Sequence, residues 1–213
     1  MMCAIAGNRG IGRVMCLGIP LALFFGISLA AQAVWAGGAT DAMKGTIDEV
    51  LRIVQDKELR KPAKSEERRK LLEQIVGERF DYSEMSRRAL GAPWAKLSDK
   101  EKDEFVELFQ TLLVNSYADK VEAYSGEGVE YINERTEKDY AEVRTKVLTG
   151  KTEIPLDYRL LFKASVWRVY DVVVDGVSLV SNYRGQFTKI LRSGTFADLL
   201  DQLRKKSDKI RTS

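Results

Sequence analysis

The 213-residue chain contains no histidine, and its two cysteines, Cys3 and Cys16, both lie within the first sixteen positions. Without imidazole there is no Ser-His-Asp triad, no histidine base and no His-rich metal site. Without a later cysteine, the body of the chain has no disulfide framework, no thiolate zinc site and no thiol nucleophile. Asp, Glu, Lys and Tyr remain available for catalysis, but none has a second catalytic partner at a motif spacing. A dominant charge is missing as well. The 34 Lys and Arg against 31 Asp and Glu give no basis for nucleic-acid binding. There is no internal repeat and no low-complexity linker.

Arg9 and Arg13 precede an apolar run, Val14–Leu29, followed by Ala30-Ala31-Gln32-Ala33. This is the charged, apolar and Ala-x-Ala order of a secretory signal peptide, with cleavage expected after Ala33 or Ala36. Gly18, Pro20 and Gly26 interrupt the run, which is short for a membrane span and lacks a stop-transfer flank. Cys16 follows Val14-Met15, which is not the small-residue context of a lipid-modified cysteine. The expected product is a soluble exported protein, residues 37–213, without cysteine. Losing Arg9 and Arg13 leaves 32 basic and 31 acidic side chains. The length suits one domain with a sizeable core. The basic cluster Arg204-Lys205-Lys206, with Lys209 and Arg211, reads as a solvated, frayed terminus.

Helical spacing governs residues 37–125. Ile47, Val50, Leu51 and Val54 fall at i, i+3, i+4 and i+7, and Lys61-Pro62 breaks that helix. Ser65 is placed to cap a second helix bearing Leu71, Leu72, Ile75 and Val76. Asp81-Tyr82-Ser83-Glu84 reads as a capping box for a short helix with Met85 and Leu90, closed by Gly91. After the Ala92-Pro93-Trp94 connector, Ser98-Asp99-Lys100-Glu101 starts a long helix. Its stripe runs Phe105, Leu108, Phe109, Leu112, Leu113, Tyr117, Val121 and Tyr124, and Gly126 and Gly128 end it.

Across residues 129–175 the period drops to two. The spacing predicts strands at Val129–Arg135, Tyr140–Leu148, Ile154–Lys163 and Val166–Val174, joined by short turns. Pro155 fits a strand start or edge. Over residues 177–204 the helical period returns with Leu179, Val180, Tyr183, Phe187, Ile190 and Leu191. Gly185 inside it points to close packing. Gly194 ends that helix, and Thr195 opens a last one with Phe196, Leu199, Leu200 and Leu203. The expected class is α+β: a twisted four-stranded antiparallel meander covered by helices on one face.

Alternation along Val166–Val174 puts Tyr170, Val172 and Val174 on one side and Trp167, Val169 and Val173 on the other. A strand apolar on both faces must be covered twice or must line an apolar hollow. Asp171 in its middle reads as a hydrogen-bonded anchor.

Trp167-Arg168-Val169-Tyr170-Asp171-Val172, then Asp175-Gly176-Val177-Ser178-Leu179-Val180, then Tyr183-Arg184-Gly185-Gln186-Phe187, resembles the signature of the toluene-tolerance/MlaC family of periplasmic phospholipid-binding proteins. Leu90-Gly91-Ala92-Pro93-Trp94 and the Phe105, Phe109, Tyr117 helix extend the resemblance, as does the final leucine helix. Glu101, where a glutamine is common, and the missing glycine before Trp167 depart from the pattern. The resemblance implies a body like nuclear transport factor 2, with an N-terminal helical elaboration and a deep pocket for acyl chains. It implies a monomeric, non-enzymatic shuttle without cofactor or metal, working between an outer-membrane lipoprotein/porin complex and an inner-membrane ABC transporter complex.

On that reading an open hollow lies between strands and helices. Its sheet side is expected at Val143, Val147, Tyr158, Leu160, Tyr170, Val172 and Val174. Its helix side is expected at Phe109, Leu112, Leu113, Tyr117, Val177, Tyr183, Phe187 and Leu191. Three alternatives stay open. The cargo is a hopanoid or other isoprenoid lipid; the chain is an enzyme with Asp171 or Asp157 as a base and Tyr158 or Tyr170 as donor; or it is a pure interaction module with a solid core.

Overall fold

Ser98 and Glu101 satisfy one another reciprocally, with the Ser98 amide donating to Glu101 Oε2 at 2.8 Å and the Glu101 amide to Ser98 Oγ at 3.4 Å. Asp81 accepts the Glu84 amide at 2.9 Å, and Thr195 and Asp198 form the same kind of box. These caps set the helix starts of the computed structural model, which describes residues 38–124, 128–150 and 152–211. The expected signal peptide, like Gly126, lies outside the described residues.

The helices are α1 (Ala39–Gln55), α2 (Ser65–Arg79), α3 (Tyr82–Leu90), α4 (Asp99–Glu122), α5 (Leu179–Ser193) and α6 (Phe196–Arg211). Between α4 and α5 run β1 (Val129–Glu137), β2 (Tyr140–Leu148), β3 (Glu153–Lys163), β4 (Val166–Val174) and β5 (Val177–Ser178). Short 3-10 turns at Pro62–Lys64 and Ala92–Lys96 join the early helices. Ser65 is not a cap: it lies inside α2, whose capping position is Lys64 and makes no side-chain bond. The preceding turn already feeds the Ser65 amide to the Pro62 carbonyl.

The sheet has five strands, not four, in the order β1-β2-β3-β4-β5. Asp175 (φ 49°) and Gly176 (φ 78°) form the tight turn into β5, where positive φ at both central residues matches the strand twist. Two residues are too short to show a period, which is why β5 escapes a pattern reading.

Two register shifts bend the meander. One leaves Ile132 unpaired on β1; the other, between Arg159 and Leu160, leaves Tyr170 as the extra residue on β4. The second shift corrects the expected faces. Trp167, Val169, Val172 and Val174 share the inner face, because Leu160 pairs with Val169 while Tyr158 pairs with Val172. Tyr170 turns outward, where the Arg88 guanidinium lies 4.0 Å from its ring centroid and Tyr140 meets it edge-on at 5.9 Å. That contact is a cation–π stack. Burial opposes ionisation of the nearby Glu84, but hydrogen bonds from Arg87 and Arg88 outweigh it and hold the carboxyl below its ordinary value.

Two large apolar cores result. Helix α1 lays Ala39, Met43 and Ile47 on the inner sheet face, over Ala141, Val143, Tyr158, Leu160, Trp167, Val169 and Val172. The Thr40 amide donates to Glu134 Oε2 at 2.8 Å, fixing the start of α1 to β1. Helices α3, α4, α5 and α6 form the other core around Phe105, Phe109, Tyr183 and Phe187. Phe80 packs against both.

The basic terminus is not frayed. It forms α6, which buries Leu199, Leu200 and Leu203 and packs on α4, with Arg204 pairing with Glu104 and Lys205 with Asp201. A buried polar node ties three helices: Arg69 donates to Asn115 Oδ1 at 2.5 Å, and Asn115 Nδ2 to Ser207 Oγ at 3.0 Å.

Candidate functional site

Antiparallel pairing gathers the inner-face side chains into cross-strand rows. Val143 pairs with Tyr158, which pairs with Val172; Val147 pairs with Ile154; Leu156 pairs with Val174, which pairs with Val177. Under α1 these rows are closed: Val143, Tyr158, Leu160 and Val172 are buried. Toward the ends of β2 and β4 the cover thins. Val147, Leu156 and Val174 are half-buried there, Ile154 is 38% exposed and Val177 57% exposed. An apolar surface thus runs continuously from a sealed core to solvent.

The end of α4 meets the same end of the sheet. The Tyr124 hydroxyl donates to the Gly128 carbonyl at 2.7 Å, and that carbonyl also accepts the Leu148 amide at 2.9 Å. Tyr117 and Val121 on α4, and Tyr124 just past its end, are half-buried. Two phenols stand behind the opening. The Tyr131 hydroxyl is buried without a hydrogen-bond partner among the described residues. Its pKa is pushed up to about 12, by burial first and then by Asp48. Burial also pushes the Tyr158 phenol well above its ordinary value. Both remain neutral at physiological pH, so neither phenol brings a charge to this end of the core.

The structure divides the residues expected to line one hollow. Val143, Tyr158, Leu160, Val172 and Val174 belong to the sheet core, with Val147 further along the same face. Phe109, Leu112, Leu113, Tyr183 and Phe187 are buried in the helix core, with Tyr117 and Leu191 half-buried against it. Phe109 lies 5.1 Å from Tyr183 and 5.4 Å from Phe187, both edge-on, so these rings fill the space between their helices. Tyr170 is on the outer face and Val177 is at the surface. Concavities occur elsewhere: one of about 210 Å³ between α1 and α2, and a groove of about 570 Å³ on α5. Leu156 and Ile154, at the exposed end, are the positions sequence reasoning left out. Their signal was present, since both alternate in phase with Tyr158 and Leu160.

Asp171 is the anchor its position suggests. It is 3% exposed and accepts from Ser178 Oγ at 2.7 Å, the Val180 amide at 3.0 Å and Arg159 Nη1 at 3.2 Å. With three donors already in place, both oxygens are committed to holding α5 against β4.

Sequence places this helix-covered antiparallel meander more narrowly. The MlaC protein family matches residues 44–205, and the chain belongs to that family. Among solved structures, it is similar to a phospholipid-binding protein from Ralstonia solanacearum determined in complex with a phospholipid. The two are 25% identical, the match covers 82% of this chain and 99% of that one, and the TM-score is 0.74. No curated protein matches the chain.

Proposed function

We propose that this protein is a periplasmic carrier that binds a phospholipid by its acyl chains and moves it between membranes. The observation that carries the reading is the inner sheet face, mainly apolar and left partly uncovered at Val147, Ile154, Leu156, Val174 and Val177. The phospholipid held by the similar Ralstonia protein supports a phospholipid as the cargo. Acyl chains enter at the uncovered end, and the headgroup stays near solvent.

Energetics favour a passive carrier. Moving an acyl chain from water into an apolar site gains about 0.8 kcal/mol per methylene, so two full chains would approach the ceiling on non-covalent affinity. In a bilayer those chains are already dry. Transfer from bilayer to protein is close to neutral, and the protein chiefly removes the aqueous barrier. Direction must come from partners, for which an inner-membrane ABC transporter complex and an outer-membrane lipoprotein/porin complex are proposed. Removal of residues 1–36 on export, a monomeric state and a body like nuclear transport factor 2 belong to the same reading. So does the absence of catalysis, since Asp171 already has its donors.

Native mass spectrometry of the exported chain, purified without detergent, tests this. A copurifying diacyl phospholipid is expected; a uniformly ligand-free mass after gentle extraction contradicts the reading.

A further inference from the structure

Helix α5 carries Arg184, Lys189 and Arg192 and not one acidic residue, in a chain whose charges otherwise nearly cancel. Lys189 and Arg192 are exposed and make no ion pair among the described residues. Arg184 donates through Nε at 2.7 Å, and through Nη2, to the Arg88 carbonyl in the last turn of α3, and makes no ion pair among the described residues. All three border the groove of about 570 Å³ on the outer side of the helix, together with Ser181, Gly185 and Thr188.

Gly185 gives that groove its shape. A mid-helix glycine costs about 1 kcal/mol against alanine, and it is usually explained by a close neighbour. Here a Cβ at position 185 would meet nothing within 4 Å among the described residues, so packing against them does not require the glycine, contrary to the sequence expectation. Its effect is to leave a recess between Arg184 and Lys189. The hydroxyls of Ser181 and Thr188 lie about one turn to either side. Two cations flanking a bare stretch of helix, with hydroxyl donors above and below, is a donor set suited to a phosphate.

We infer that this groove is a docking site for the phosphate headgroups of an anionic bilayer surface. Charge complementarity selects an anionic occupant. A bilayer is favoured over an acidic protein segment because β5, which leads directly into α5, exposes Val177 at the uncovered end of the apolar sheet face. Headgroups seated along α5 would bring that end toward the membrane from which a lipid is drawn. The choice of a bilayer rests on the phospholipid-carrier reading; the anion specificity of the groove does not.

The test is flotation of the exported full-length chain with vesicles of phosphatidylcholine alone or with about one-third phosphatidylglycerol, because polybasic contacts act through anionic lipid and fall off with salt. The wild type is expected to float with the anionic vesicles at low salt, and to lose them in high salt or with phosphatidylcholine alone. Lys189→Glu with Arg192→Glu should weaken binding at least tenfold. Gly185→Leu, which fills the recess and keeps every charge, should also weaken it, whereas Lys57→Glu with Lys70→Glu should not. Failure of the wild type to float, as expected if an acidic protein is the true occupant, overturns the inference. So does a Lys189→Glu, Arg192→Glu variant that floats like the wild type. Copurified phospholipid is measured on the same preparations. A wild type that fails to float yet carries lipid refutes the docking site alone, and a wild type without lipid refutes the carrier.

Discussion

The Asp171 carboxylate accepts the Val180 amide at 3.0 Å, so a residue in the middle of β4 fixes the first turn of α5. Ser178 links the two again, donating its hydroxyl to Asp171 at 2.7 Å while accepting the Ser181 amide at 3.0 Å. Replacing Asp171 by Asn keeps the shape but loses the charge opposite Arg159. Hydrogen bonds to charged groups are worth about 1.5–3 kcal/mol, so Asp171→Asn should destabilise the fold by about 2 kcal/mol in urea unfolding. The folded fraction should still retain lipid, since Asp171 anchors α5 and does not contact cargo.

Tyr131 carries a buried hydroxyl that the fold leaves unbonded. Tyr131→Phe should therefore be neutral or stabilising by about 1 kcal/mol. It also changes the alkaline limb of stability. Burial raises Tyr131 and Tyr82 from an ordinary 10 to about 12. Between those values the native state keeps protons that the unfolded chain has released, so stability is complete below pH 10 and is lost as pH rises toward 12. Urea midpoints across that window should fall for the wild type and fall less steeply for Tyr131→Phe.

Position on the apolar face should separate folding from lipid binding. Leu160 is fully buried beneath α1, whereas Val177 is 57% exposed. Leu160→Glu places a charge in the sealed core and should prevent folding. Val177→Glu should leave thermal unfolding within a few degrees of the wild type while reducing copurified lipid several-fold. Circular dichroism and lipid extraction on the same samples provide the comparison.

Gly185 gives an independent check on α5. Because an added Cβ meets nothing within 4 Å among the described residues, Gly185→Ala should raise stability by about 0.5–1 kcal/mol through helix propensity. A loss of stability in thermal melts would mean that the helix needs the glycine for its own packing.

Much of the architecture was legible in the residues. The boundaries of β2 and β4 follow directly from alternation, and the starts of α3, α4 and α6 from caps spaced three residues apart. The errors arose where tertiary contacts override a period. The extra residue at Tyr170 is set by the register against Arg159 and Leu160 and by the Arg88 stack, neither of which alternation within β4 can register. The helix-side residues were predicted as a lining because an aromatic stripe has the same spacing whether it meets a ligand or another helix. Phe109, Tyr183 and Phe187 meet one another. Leu156 and Ile154 were in phase with the inner face, but their partial exposure depends on where α1 stops covering the sheet.

The most direct test of the central claim is photocrosslinking with a phospholipid bearing a diazirine in its acyl chain, followed by peptide mapping of the adducts. Crosslinks are expected on the sheet side at Val147, Ile154, Leu156 and Val174, and at Tyr124, whose hydroxyl bonds the Gly128 carbonyl beside β1. Adducts confined to the outer sheet face around Tyr140 and Tyr170, or none at all with lipid demonstrably bound, would contradict the account.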